Sequence, residues 1–144
     1  MRLLALLASL FLATIACAAE DTSLSEVEIR QLVERVNDAQ NRMMMRGSDA
    51  ADVDALFALY TPDFTYVHEV YGGTYTREEL HANSVRYAEA GEYEFTEDRY
   101  RILHVLPGLD AAAVQRLESN SGNKHLAVFE FRDGKVSRII EYWK

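Results

Sequence analysis

The sequence predicts an α+β domain, with helices packed on one face of a curved antiparallel sheet. Three observations predict it. Apolar residues recur at helical spacing through much of the first half. After Gly91 the hydrophobic period changes to two. Turn residues at Pro107-Gly108, Asn120–Asn123 and Asp133-Gly134 cut that second half into consecutive strands, too closely spaced for crossover helices. The chain of 144 residues, 49% of them hydrophobic, is enough for one core.

The first element is an export signal. Arg2 is a minimal basic region, and Leu3 to Ile15 form an apolar run broken only by Ser9 and Thr14. Small residues then precede Glu20 and Asp21. This order predicts a secretory signal peptide over residues 1–19, leaving one domain over residues 20–144. The apolar run is shorter than the ~20 residues that span a bilayer. Cys17 opens a second route: Thr14, Ile15, Ala16 and Cys17 are a poor match to a lipidation signal, in which the cysteine would carry the lipid. The expected location is periplasmic or secreted, with membrane attachment only if Cys17 is lipidated.

The first helix is expected over Ser25 to Arg46. Ser23 with Glu26, or Ser25 with Glu28, can form a capping box, and Ile29, Leu32, Val33, Val36 and Met43 build an apolar face. A short second helix, Ala51 to Tyr60, is expected to stop at Pro62. Asp63 to Glu69 is aromatic and β-branched, so it reads as a strand with Phe64, Tyr66 and His68 on one face. A Gly72-Gly73 turn leads to a short strand at Thr74 to Thr76. Thr76 with Glu79 then caps a third helix that closes at Gly91. Long strands are expected over Tyr93 to Leu106, Leu109 to Ser119, Lys124 to Arg132 and Lys135 to Trp143, the last two joined by a tight Asp133-Gly134 hairpin.

Composition removes some function classes. Lys plus Arg total 15 against 23 Asp plus Glu, a formal charge of −8. Such a surface repels phosphate backbones, so no nucleic-acid partner is expected. Cys17 is the only cysteine, so the domain relies on its core and not on disulfides. No HxH or HExxH spacing and no Gly-rich phosphate loop occurs, so neither a metal nor a cofactor is expected.

Three stretches carry a resemblance to a known family: Ala58 to Glu69 (ALYTPDFTYVHE), Gly72 to Leu80 (GGTYTREEL) and Phe131 to Lys144 (FRDGKVSRIIEYWK). In order and spacing the chain resembles the SnoaL-like, or nuclear transport factor 2-like, superfamily from about Ser25 onward. The resemblance implies a cone-shaped, cystatin-like roll around a conical pocket, and a homodimer through the outer sheet face. It spans ketosteroid isomerases, polyketide cyclases, scytalone dehydratase, limonene epoxide hydrolase and members that only bind ligands. Fold alone does not choose among them.

By the same likeness, His68 stands where the isomerases carry a catalytic aspartate, and a histidine there can take a proton near neutral pH. The oxyanion-stabilising acid of those enzymes is matched here by Ala127, which argues against steroid isomerisation. Trp143 matches a pocket-wall aromatic. Alternation then places Glu141 and Ile139 inward, Glu141 as an acid or base opposite His68. The opposite register, with Arg138, Ile140 and Tyr142 inward, remains open. Phe129 and Phe131 are expected inward, Arg116 outward against a cross-strand acid such as Glu130, with an anionic ligand as its alternative partner, and His104 and His125 as strand-face residues without special roles. The expected function is binding of a small, largely apolar ligand among Phe64, Tyr66, Phe129 and Trp143, without turnover. The alternative is a cofactor-independent lyase, isomerase or hydrolase with His68 as general base.

Overall fold

The computed structural model describes residues 23–144. The expected signal peptide and the lipidation reading of Cys17 lie outside the described residues.

The first helix, α1 (Glu26–Met44), begins at Ser25, whose side chain accepts from the Glu28 N–H while Glu28 reaches back to the Ser25 N–H. Of the two capping boxes open to the sequence, this is the one that forms. Ile29, Leu32, Val33, Val36 and Met43 are buried, as their spacing requires. The second helix, α2 (Ala50–Phe57), is capped by an Asp49/Asp52 box that the sequence reading did not identify. Strand β1 (Tyr60–His68) follows directly.

Pro62 therefore does not stop α2. It lies within β1, and the pairing of β1 with its neighbour shifts register between Tyr60 and Thr65. A residue without an N–H is tolerated in a strand at such an irregularity. Strand β2 (Gly73–Thr76) and helix α3 (Arg77–Glu89), capped by Thr76 with Glu79, come next.

Strand β3 (Tyr100–Gly108) starts seven residues later than expected. Residues 93–99 are drawn off toward α1: the Arg46 N–H bonds to the Phe95 carbonyl at 2.7 Å, and Tyr93 and Phe95 pack against the core. Strands β4 (Ala111–Glu118), β5 (Lys124–Arg132) and β6 (Lys135–Tyr142) complete the sheet. Asp133 and Gly134 both have positive φ, 53° and 70°, as a type I′ hairpin needs.

The sheet order is β2-β1-β6-β5-β4-β3. It is mixed and not wholly antiparallel, because β6 runs parallel to β1. The chain leaves β2 through α3, re-enters at the far edge and meanders back to close against β1. That parallel seam sets His68 beside Glu141.

Two asparagines on the buried side of α1 bind the start of β3. The Asn41 side chain accepts from the Tyr100 N–H at 2.9 Å and donates to the Tyr100 carbonyl at 2.8 Å, which Asn37 also reaches at 3.2 Å. Replacing Asn41 strands a buried N–H. Asn41→Ala is therefore expected to lower unfolding free energy by about 1–3 kcal/mol, read as a fall in the urea midpoint with an unchanged slope.

Candidate functional site: an aromatic cavity over a buried ion pair

The helices and the concave face of the sheet enclose a cavity of about 350 Å³. Its walls are mostly apolar: Met43 and Met44 from α1, Leu56 and Phe57 from α2, and Phe64 from β1. Tyr60, Tyr66, Tyr100 and Trp143 add aromatic rings with polar tips, and Gln40, Arg99 and Glu141 add polar side chains. Tyr60 stacks on Phe64 with ring centroids 4.0 Å apart, which fixes the orientation of both.

The polar floor is organised by Arg116 and Glu141. Arg116 is 0% exposed and Glu141 4% exposed. Arg116 Nη2 donates to Glu141 Oε1 at 2.7 Å, while Nη1 donates to Gln40 Oε1 at 2.6 Å. The guanidinium also lies 4.0 Å from the Tyr100 ring centroid. The second carboxylate oxygen of Glu141 accepts from the Tyr66 hydroxyl at 2.9 Å and from the Trp143 indole N–H. Three protein donors thus hold one buried carboxylate. Gln40 passes the network onward, donating from Nε2 to the Tyr60 hydroxyl at 3.2 Å.

The phenols respond to this environment. Burial, and then the adjacent Glu141 charge, push Tyr66 well above its ordinary value. Burial does the same for Tyr60, against the opposing Gln40 bond. Tyr100 is pushed up to about 12, by burial first and then by Glu141. All three stay protonated at physiological pH and serve as neutral hydroxyls.

The sequence-predicted residues divide into two groups. Phe64, Tyr66, Glu141 and Trp143 meet at the cavity. Glu141 and Ile139 are buried and Tyr142 is exposed, so the last strand takes the first of the two registers considered. His68 and Phe129 do not line the cavity. Phe129 is fully buried, its ring 5.8 Å from the Arg116 guanidinium carbon. His68 is 5% exposed and is sealed by Tyr71, stacked at 4.4 Å, and by the edge of Trp143 at 4.6 Å. Neither of its ring nitrogens has a hydrogen-bond partner among the described residues. Glu141 is its lateral neighbour across the parallel seam.

One expectation is corrected. Arg116 does not face outward against Glu130. Strand β4 buries every second residue through Ala112, Val114, Arg116 and Glu118, so the arginine points into the core, where Glu141 and Gln40 compensate it. His125 stands on a strand face as expected, and there it is 3% exposed with its ring flat on Trp143, at 4.3 Å and 1°. Trp143 is thereby held between two imidazoles. Gln40, Tyr60 and Tyr100 were also missed as site residues. Gln40 had a legible signal, since it lies four residues after Val36 and three before Met43 on the apolar face of α1.

Removing one member of the ion pair leaves the other buried and uncompensated. Arg116→Met is expected to cost about 3–5 kcal/mol of stability, and the double variant Arg116→Met/Glu141→Gln to recover part of it, both measured by urea unfolding. His125 gives a pH prediction. Burial, the largest influence, holds its imidazole below the ordinary 6.5. Its contribution to stability is complete above that unfolded value and is lost as pH falls through the lower folded value. His125→Gln should therefore flatten the fall in Tm below pH 6.5 relative to the unmodified protein.

Solved structures share the fold at low identity. An NTF-2 like protein of unknown function from Burkholderia xenovorans LB400 matches at 21% identity and TM-score 0.59, over 81% of this chain and 83% of that one. A SnoaL-like protein of unknown function from Burkholderia thailandensis E264 matches at 18% identity and TM-score 0.61, over 84% and 98%. A hypothetical protein with a ketosteroid isomerase-like fold from Catenulispora acidiphila DSM 44928, in complex with trimethylamine, matches at 17% identity and TM-score 0.55, over 79% and 85%. The curated proteins give no match. The sequence profile of the SnoaL-like domain matches residues 41–139, from the end of α1 to the buried Ile139 of β6, and the chain belongs to the SnoaL-like domain family.

Proposed function

We propose that this SnoaL-like domain binds a small, largely apolar ligand in the aromatic cavity and does not turn it over. One observation carries the reading. The carboxylate at the cavity floor, Glu141, is already engaged by Arg116, Tyr66 and Trp143. Three of its four lone-pair sites are taken by protein donors, whereas a general base needs one free and aimed at the substrate. The volume of about 350 Å³ falls within the range of small-molecule sites. The alternative, catalysis by His68, finds no support in the arrangement, because that imidazole lies under Tyr71 and Trp143 and outside the cavity wall. The proposal includes action outside the cytoplasm, as the leader suggests, and pairing of two copies through the outer sheet face.

The neutral probe N-phenyl-1-naphthylamine tests the binding reading. Its emission should rise on mixing with the domain. Ser84→Trp, which places an indole at the half-buried cavity wall on α3, should abolish the rise while leaving circular dichroism unchanged. A rise that survives in a folded Ser84→Trp domain would place the probe elsewhere and defeat the reading.

A further inference from the structure

We infer that the cavity selects an uncharged ligand offering one hydrogen-bond acceptor to Tyr60 and one donor to Tyr66, a pattern found in small hydroxy-carbonyl compounds. The inference rests on the reading of the cavity as a binding site. It follows from which groups can only donate and which can only accept.

A guanidinium has no acceptor. The Gln40 atom 2.6 Å from Arg116 Nη1 must therefore be the amide oxygen. The amide nitrogen then faces Tyr60 and donates to its oxygen at 3.2 Å. Tyr60 is an acceptor in that bond, so its own proton is directed elsewhere, and no acceptor among the described residues takes it. Burial keeps that proton on the phenol. Tyr60 lines the cavity, so it presents a donor there.

The other branch has the opposite polarity. A carboxylate only accepts, so Tyr66 must donate to Glu141 in their 2.9 Å bond. Its proton is used, and what its oxygen has left to offer the cavity is a lone pair. Two tyrosines of one strand are thus set to opposite roles, Tyr60 by a relay from Arg116 and Tyr66 by Glu141. A ligand presenting an acceptor to Tyr66 would meet a lone pair, which rejects it, and one presenting a donor to Tyr60 would leave the phenol proton without a partner.

Charge is balanced as well. Arg116 and Glu141 neutralise each other beneath the cavity, and Arg99, the cation of the wall, pairs with Glu118 at 3.2 Å. A charged ligand would enter this low-dielectric site without a free counter-ion.

Four probes form a complete cycle: ethylbenzene, acetophenone, 4-ethylphenol and 4-hydroxyacetophenone. Binding is measured by titration calorimetry and by the shift of the indole N–H resonance of Trp143, the chain's one tryptophan. The carbonyl and the hydroxyl should each raise affinity about three- to tenfold over the matched compound lacking it. Tyr60→Phe should erase the carbonyl's gain and keep the hydroxyl's, and Tyr66→Phe should do the reverse. Should Tyr60→Phe fail to fold, the Tyr66→Phe arm decides alone, by removing the hydroxyl's gain and sparing the carbonyl's. Equal affinity for all four probes, or loss of the same gain in both variants, overturns the inference while leaving the binding reading intact. Failure of every probe to bind, ethylbenzene included, defeats the binding reading and this inference with it.

Discussion

The 2.7 Å bond between Arg116 and Glu141 is the constraint on which the rest of the interior depends. Two full charges are buried in a domain of modest size, each far too costly to leave alone. Four neighbouring side chains are arranged to meet that cost. Gln40 takes one guanidinium nitrogen, Tyr100 lies against its face, and Tyr66 and Trp143 complete the carboxylate. Because these partners come from α1, β1, β3, β4 and the end of β6, the pair also ties the helical layer to the sheet. Packing alone would tolerate many side-chain arrangements of similar volume. A hydrogen-bonded charge pair tolerates few.

The same network gives the cavity its character. A pocket walled by Met, Leu and Phe would accept any apolar shape of suitable size. Two of its phenols, Tyr60 and Tyr66, are biased to opposite senses by the bonds they already make to Gln40 and Glu141. Catalysis in a cavity of this kind needs a proton acceptor with a free lone pair facing the substrate. Here the carboxylate faces inward but is largely occupied, and the imidazole of His68 has unpartnered nitrogens but does not line the cavity, lying against Tyr71 and Trp143. The two groups are adjacent across the parallel seam, yet the chemistry each lacks is held by the other.

The fold was legible in the sequence because its signals are local. Ser25 with Glu28 and Thr76 with Glu79 announce helix starts, and Asp133-Gly134 announces a hairpin, through contacts spanning only a few residues. The inward set of β6 was legible as one of two alternating choices. The parallel pairing of β1 with β6 was not, since it joins residues some 70 positions apart and leaves no periodic trace. The late start of β3 was hidden for a similar reason: Tyr93 and Phe95 alternate with polar residues as a strand would, and the Arg46 bond to Phe95 and their packing on the core draw them off. Arg116 was misplaced because a charged residue is usually on the surface. Its true position depends on a glutamate 25 residues away and a glutamine 76 residues away. His125 was passed over because its significance comes from lying flat against Trp143, a pairing set by strand register.

The asparagines of α1 have a consequence for how copies of this chain behave toward one another. Strand β3 is an outer strand of the sheet, the kind of edge on which foreign strands can template. At its first residue the outward N–H and C=O are taken by Asn41, with Asn37 sharing the carbonyl. Farther along, Arg30 occupies the Val105 carbonyl at 2.9 Å, and Pro107 offers no N–H at all. Helix α1 thus stands where a seventh strand would add, its polar side chains imitating a neighbour's backbone. An edge blunted in this way resists end-on growth into fibrils and keeps an acidic chain dispersed when it is crowded.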